Sequence, residues 1–325
     1  MSSQKSRKDP AAEIFLGNPI DAAGLVNKYA EGFTIKDINI GYDDRIYILL
    51  IENIPEMIRS GFGVFVDPSA DSGYSVIELT VDWESGELLN SEFYELGKLG
   101  PNFHFIQPFG DKLLLVGART YYREDSGGDD NGFIIDRNGA VSEKFCFGDG
   151  IQDCIVLSDG RIVTSYFDEG VYGNYGWRRP VGCWGLVVWN ENGEIIWEAR
   201  NHRISDCYAM NTDEKEDLWF YYYDDFNLVR TDLKTETVYE PGIAGSNSFL
   251  LTKDSRHIIF DAGYDKHGTF LYAPISNENI GEFKPVEFVF DGEKNECIFA
   301  KFHGSKAVLS DDGDRIFAKE ILGID

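Results

Sequence analysis

Six similar stretches of the chain, aligned on the first turn of each, bring Asp37, His104, Asp153, Asp206, Ser248 and Glu296 to one position. Each is followed by an apolar residue or a thiol: Ile38, Phe105, Cys154, Cys207, Phe249 and Cys297. Carboxylates drawn together repel one another and raise each other's pKa unless a cation neutralises them. A hard divalent ion accepts oxygen ligands from separate segments. The pattern therefore predicts a metal site made by Asp37, Asp153, Asp206 and Glu296, with Ca2+ or another divalent cation as cofactor. His104, in the same register, would serve there as general base if its pKa lay near neutrality. The competing reading is structural: a polar residue at a strand start caps a neighbour's backbone or holds a buried water.

A second set of residues has the composition of a binding surface. The stretch YFDEGVYGNYGWRRPVG carries Asp168, Glu169, Tyr172, Asn174, Tyr175, Trp177, Arg178 and Arg179. Corresponding loops offer Tyr121, Tyr122, Arg123 and Glu124, then Tyr222, Tyr223, Asp224 and Asp225, then Asp261, Tyr264, Asp265 and His267. Exposed aromatics mixed with Arg, Asn and carboxylates are what ligand and partner sites use. A loop of about 15 residues is costly to order unless it packs or binds. The alternative is a packed aromatic edge beneath a solvated acidic rim.

The elements that must position these groups are strands. Ile151 to Arg200 holds the most complete unit: Ile151 to Leu157, the turn Ser158-Asp159-Gly160, Arg161 to Phe167, the long loop, Trp184 to Trp189, the turn Asn190 to Gly193, and Glu194 to Ala199. The same order of parts recurs from Phe33 to the end, at a period of roughly 40 to 65 residues, which is the sequence form of a β-propeller. The expected fold is all-β: six four-stranded antiparallel blades, or seven if the long first unit, Phe33 to Leu96, hides a second copy. The last unit is short by one strand, so an N-terminal strand, Glu13 to Leu16, is expected to complete it and close the ring. Residues 1–10 read as a disordered start and 11–325 as one domain.

Composition narrows the partners. The formal charge of -26, from 56 acidic against 30 basic residues, argues against phosphate backbones, whose binding needs clustered Lys and Arg. There is no run of about 18 apolar residues and no signal-peptide pattern at the start, so a membrane partner is not expected. Five cysteines without CxxC spacing read as reduced, buried thiols of a cytoplasmic protein. His202, His257 and His303 read as ordinary surface or loop residues. No GxSxG elbow, P-loop, HExxH or kinase signature occurs.

The SDGRI-type turn between the first two strands of a unit (Ser158 to Ile162, more loosely Asp43 to Ile46 and Asp311 to Ile316) resembles that of bacterial six- and seven-bladed propellers. Among these, the gluconolactonase and paraoxonase group holds a divalent cation at the channel mouth through Glu, Asn and Asp for lactone hydrolysis. The polar ring resembles that cluster in position but has no Asn. WD repeats match less well, since no unit ends in Trp-Asp. Two functions follow as expectations. The first is a monomeric binding or interaction propeller that holds a protein or small molecule at its channel mouth and long loops. The second is a divalent-metal-dependent hydrolase, lactonase-like, or a lyase at the same mouth.

Overall fold

A computed structural model describes residues 11–60, 63–276, 279–311 and 315–324. The expected disordered start, residues 1–10, and the centre of the Asp311 to Ile316 turn, residues 312–314, lie outside them. Six sheets form the blades of a propeller, each built on four antiparallel strands that pair with their sequence neighbours, except that the fourth strand of blade six comes from the N-terminal part of the chain. Blade one is Thr34–Ile40, Ile46–Ile51, Ser69–Val81 and Leu88–Pro101. Blades two to five begin with the inner strands Phe105–Phe109, Ile151–Val156, Asp206–Thr212 and Phe249–Leu251. Blade six begins with Phe299–His303.

Strand alternation explains why the blades pack. Successive side chains point to opposite faces, so Ile46, Ile48 and Leu50 enter the core shared with blade six. Tyr47, Leu49 and Ile51 enter the core shared with blade two. Every junction around the ring is filled this way, by one apolar cluster built from two adjacent blades. A second strand such as IYILLI is buried at every position because both its faces are covered.

An N-terminal strand does close the ring, but not the expected one. Pro19–Asp21 pairs antiparallel with Arg315–Glu320, Ile20 opposite Ile316, and supplies the fourth strand of blade six. The segment expected there instead adds a strand to blade five: Ala12–Phe15 runs parallel to Lys284–Phe290, with Ile14 opposite Phe288. The buried faces dictate this split. Ile14 and Leu16 fill the junction of blades five and six, and Ile20 fills the next one. The chain then turns into a helix, α1 (Ala22–Tyr29), which the sequence analysis missed. Asp21 caps it by accepting the Gly24 N–H at 2.7 Å, and Ala22 and Val26 bury against the junction of blades six and one.

The long first unit is not two blades. Its extra length is a side hairpin, Met57–Ser60 with Gly63–Val66, together with strands of 13 and 14 residues. The loop after the second strand of blade three is short of space rather than open. Gly150 has a φ of +75°, and a Cβ there would meet the Gly170 backbone at 2.3 Å. Only glycines let this loop, which opens with the single-turn helix α2 (Asp168–Tyr172), lie against the start of its own blade. The cysteines are all free thiols. Cys154 and Cys207 are buried as expected, whereas Cys183 is exposed.

Candidate functional site at the channel mouth

Of the predicted ring, Asp37, Asp153 and Asp206 lie within inner strands, and His104 immediately precedes one. Asp37 and Asp153 come together electrostatically, and what stands between them is an ammonium. Lys301, from the inner strand of blade six, reaches across the axis and donates to Asp153 Oδ1 at 2.7 Å. Lys301 and Asp153 keep 16% and 18% of their side-chain exposure. Burial opposes the charge on Lys301, but Asp153 and then Asp37 outweigh it and hold the ammonium above its ordinary pKa. Asp37 Oδ2 also accepts the Ile106 N–H of blade two at 3.1 Å, which is the capping role of the structural reading. Burial pushes Asp37 up to about 6, with Lys301 pulling against it.

The other ring members separate. Asp206 is driven up to about 7 by burial and by Asp168, and its Oδ1 is buried without a hydrogen-bond partner. His104 Nδ1 accepts the Ala118 N–H at 3.1 Å. Burial, with Lys36 nearby, drops it to about 3, so it is a neutral imidazole at physiological pH. Ser248 lies just before its strand and donates to Asn247 at 3.1 Å. Glu296 does not join the ring, because the sixth inner strand begins at Phe299 and leaves Glu296 exposed before it. Among the described residues no group of three or more His, Cys, Asp or Glu is arranged to hold a metal ion. Two carboxylates that already share an ammonium fall short of the six to eight oxygens calcium takes.

The loop residues divide between packing and exposure. Trp177, expected in a binding surface, is buried, and its Nε1 donates to Thr120 O at 2.9 Å. Tyr175 stacks under the Arg119 guanidinium at 4.3 Å and donates to Val66 O at 3.0 Å. Arg119 is held in turn by Asp149 and by Glu169, and Asn174 bonds Glu169. Tyr121 packs on Tyr175 at 5.0 Å and under Arg123, which pairs with Asp129. That leaves Asp168, Tyr172, Arg178 and Arg179 exposed on the face. His202 lies in a loop, as expected, and packs edge-on against Phe220; His303 instead ends the strand Phe299–His303, where burial lowers it to about 4.

Beside the Lys301 cluster opens a cavity of about 450 Å³, inside the range of ordinary ligand pockets. Tyr208, Met210, Phe249, Phe270, Phe299 and Phe302 form its apolar walls, Asp153 and Lys301 a polar flank, and Asp261, His267 and Cys297 another. His267 Nδ1 lies 2.7 Å from Asp261 Oδ1. On the adjoining rim Tyr208 and Tyr264 share a hydroxyl contact of 2.5 Å. Sequence reasoning placed Asp261, Tyr264 and His267 on this face. It missed Lys301, whose signal was a lone lysine between apolar residues in the inner strand FAKFH.

The fold and this mouth define the class: a six-bladed β-propeller with an ion cluster across its axis and a side cavity opening on the loop face. Comparison with protein families and with curated proteins returns no match. A chain in the crystal structure of the mitotic checkpoint complex aligns over 98% of this chain and 99% of its own, with a TM-score of 0.52 and 9% identity. A likeness at that identity speaks to the fold alone. Looser ones include Staphylococcus aureus virginiamycin B lyase with quinupristin (TM-score 0.46, 13% identity, 89% and 95% covered) and YCF48 bound to D1 peptide (0.46, 10%, 93% and 96%).

Proposed function

We propose that this protein is a binding propeller that holds a small molecule, or the side chain of a partner segment, in the cavity beside its channel mouth. The observation that carries the reading is the cavity itself: about 450 Å³, where the aromatic side chains of Tyr208, Phe249, Phe270, Phe299 and Phe302 face a comparable set of polar groups that includes Asp153, Asp261, His267 and Lys301. A concave site that joins aromatic wall to convergent polar groups suits a small ligand. The exposed Tyr264 and Tyr223 extend the apolar rim outward, and Tyr and Trp at such rims supply contact area at low entropic cost. Charge sets the preference. With a net charge of -26, the face favours neutral or cationic ligands over anions.

Crystals soaked with a cocktail of neutral aromatic fragments test this. Fragment density is expected in the cavity, and Ser248→Trp, which places an indole at the cavity wall, is expected to abolish it while leaving the melting temperature unchanged. Fragments that settle elsewhere, or that bind equally well to the Ser248→Trp protein, overturn the reading.

A further inference from the structure

Resting on that binding reading, we propose that the cavity is also a hydrolytic site, in which His267 Nε2 is the general base, Asp261 is its positioning residue, and the substrate is an uncharged carboxylic ester. Asp261 is almost wholly buried, at 2% exposure, and both its oxygens are occupied. Oδ1 accepts the Gly263 N–H at 3.0 Å and faces His267 Nδ1 at 2.7 Å, while Oδ2 accepts the Gly268 N–H at 2.9 Å. An ionised carboxylate only accepts hydrogen bonds, so the proton of the neutral imidazole sits on Nδ1. The lone pair on Nε2 is thereby left to the cavity that His267 lines.

The loop is shaped around this contact. Gly263 and Gly268, both at a φ of +80°, turn the chain about the Asp261 carboxylate. The imidazole is therefore fixed although it remains 46% exposed. A buried carboxylate on Nδ1 both orients the ring and stabilises the imidazolium formed when Nε2 takes a proton.

The nucleophile is water. The Cys297 thiol donates to Phe299 O at 2.9 Å, and burial pushes it up to about 12, so it stays protonated. The Ser248 hydroxyl is committed to Asn247. In the proposed step Nε2 removes one proton from water as the water oxygen bonds to the ester carbonyl carbon, and the carbonyl π pair moves to its oxygen. The tetrahedral intermediate then collapses, the bond from carbon to the alkoxy oxygen breaks, and the imidazolium returns its proton to the leaving alkoxide. One ester and one water give one acid and one alcohol, with no further reactant. Apolar walls suit the acyl chain, while Asp153 and the acidic surface disfavour a carboxylate substrate.

The test is the release of p-nitrophenol from p-nitrophenyl butyrate by the full chain. His267→Ala is expected to lower kcat/KM by about 10²- to 10⁴-fold. Asp261→Asn should lower kcat at unchanged KM, and Asp261→Glu should restore part of it, which a merely structural role would not do. The anionic p-nitrophenyl hemisuccinate should react more slowly than the butyrate. The p-nitroanilide of butyric acid, which is not turned over, reports binding separately. If it binds the wild type and His267→Ala equally while both release p-nitrophenol at one rate, the base assignment fails and the binding reading stands. If it binds neither, both fail.

Discussion

Removing the ammonium from the channel is the perturbation whose outcome the structure defines most closely. In Lys301→Met the side chain keeps its approximate volume, but Asp153 loses its 2.7 Å partner and Asp37 loses the charge that most lowers its pKa. Breaking a buried pair by deleting one member costs about 3–5 kcal/mol, because the remaining charge is stranded. Unfolding entropy of about 2.1 cal/mol/K per residue gives roughly 0.7 kcal/mol per degree for a chain this long. The melting temperature should therefore fall by about 6 °C at neutral pH. The pH dependence fixes the mechanism. Asp37 already titrates higher in the fold, at about 6 against 3.8, so its contribution is complete below the lower value and is lost as pH rises through the upper one. Without Lys301, which pulls it down, Asp37 moves up further. Acidification to about pH 5 should then protonate it and narrow the gap to the wild type. Differential scanning calorimetry at both pH values reads this directly, and Asp37→Asn with Asp153→Asn added to Lys301→Met should recover most of the loss. A variant that melts with the wild type at neutral pH, or whose deficit widens in acid, refutes the account.

Ring closure gives a graded pair: deletion of residues 1–17 removes the strand on blade five, and deletion of 1–21 also removes the closing strand of blade six. Each lost Ile or Leu costs about 1.5–3 kcal/mol of burial, so thermal melts should fall in two steps, and equal melts for the two truncations would contradict the strand assignments. Asp206→Asn should stabilise the protein above pH 7 and have little effect near pH 5. The reason is that a carboxyl raised to about 7 contributes stability while protonated and loses it as pH rises through that value; urea titrations at the two pH values decide. Gly150→Ala should destabilise by about 2 kcal/mol or more, since it combines a positive φ with a backbone clash, and equilibrium unfolding measures it.

Much of the architecture is written locally. Alternation in Ile46–Ile51 and turns such as Ser158-Asp159-Gly160 specify strands and their reversals, and repetition makes six blades out of one pattern. What resisted reading was set by contacts far apart in sequence. Whether Ile14 or Ile20 completes blade six depends on which blade junction has room for which side chain, and no short window contains that information. Lys301 is the same case at the site: it meets Asp153 across the ring, at the far side of two intervening blades. In the sixth unit the residue chosen by alignment on the first turn, Glu296, stands before the strand that begins at Phe299 and so falls short of the ring. Trp177 looked like a surface aromatic in a loop of surface-type residues, and its burial follows only from the approach of Thr120 in the neighbouring blade.

The seam at Pro19–Asp21 bears on how the protein is made. Its partner strand, Arg315–Glu320, is synthesised only after all the intervening blades. Until then the early segment has no native partner for Ile20, which stays available to chaperones or to a second nascent chain. Folding can complete blade by blade, but locking waits for that distant strand, and a partner copy offering its own early segment to an unfinished ring would give a strand-exchanged dimer.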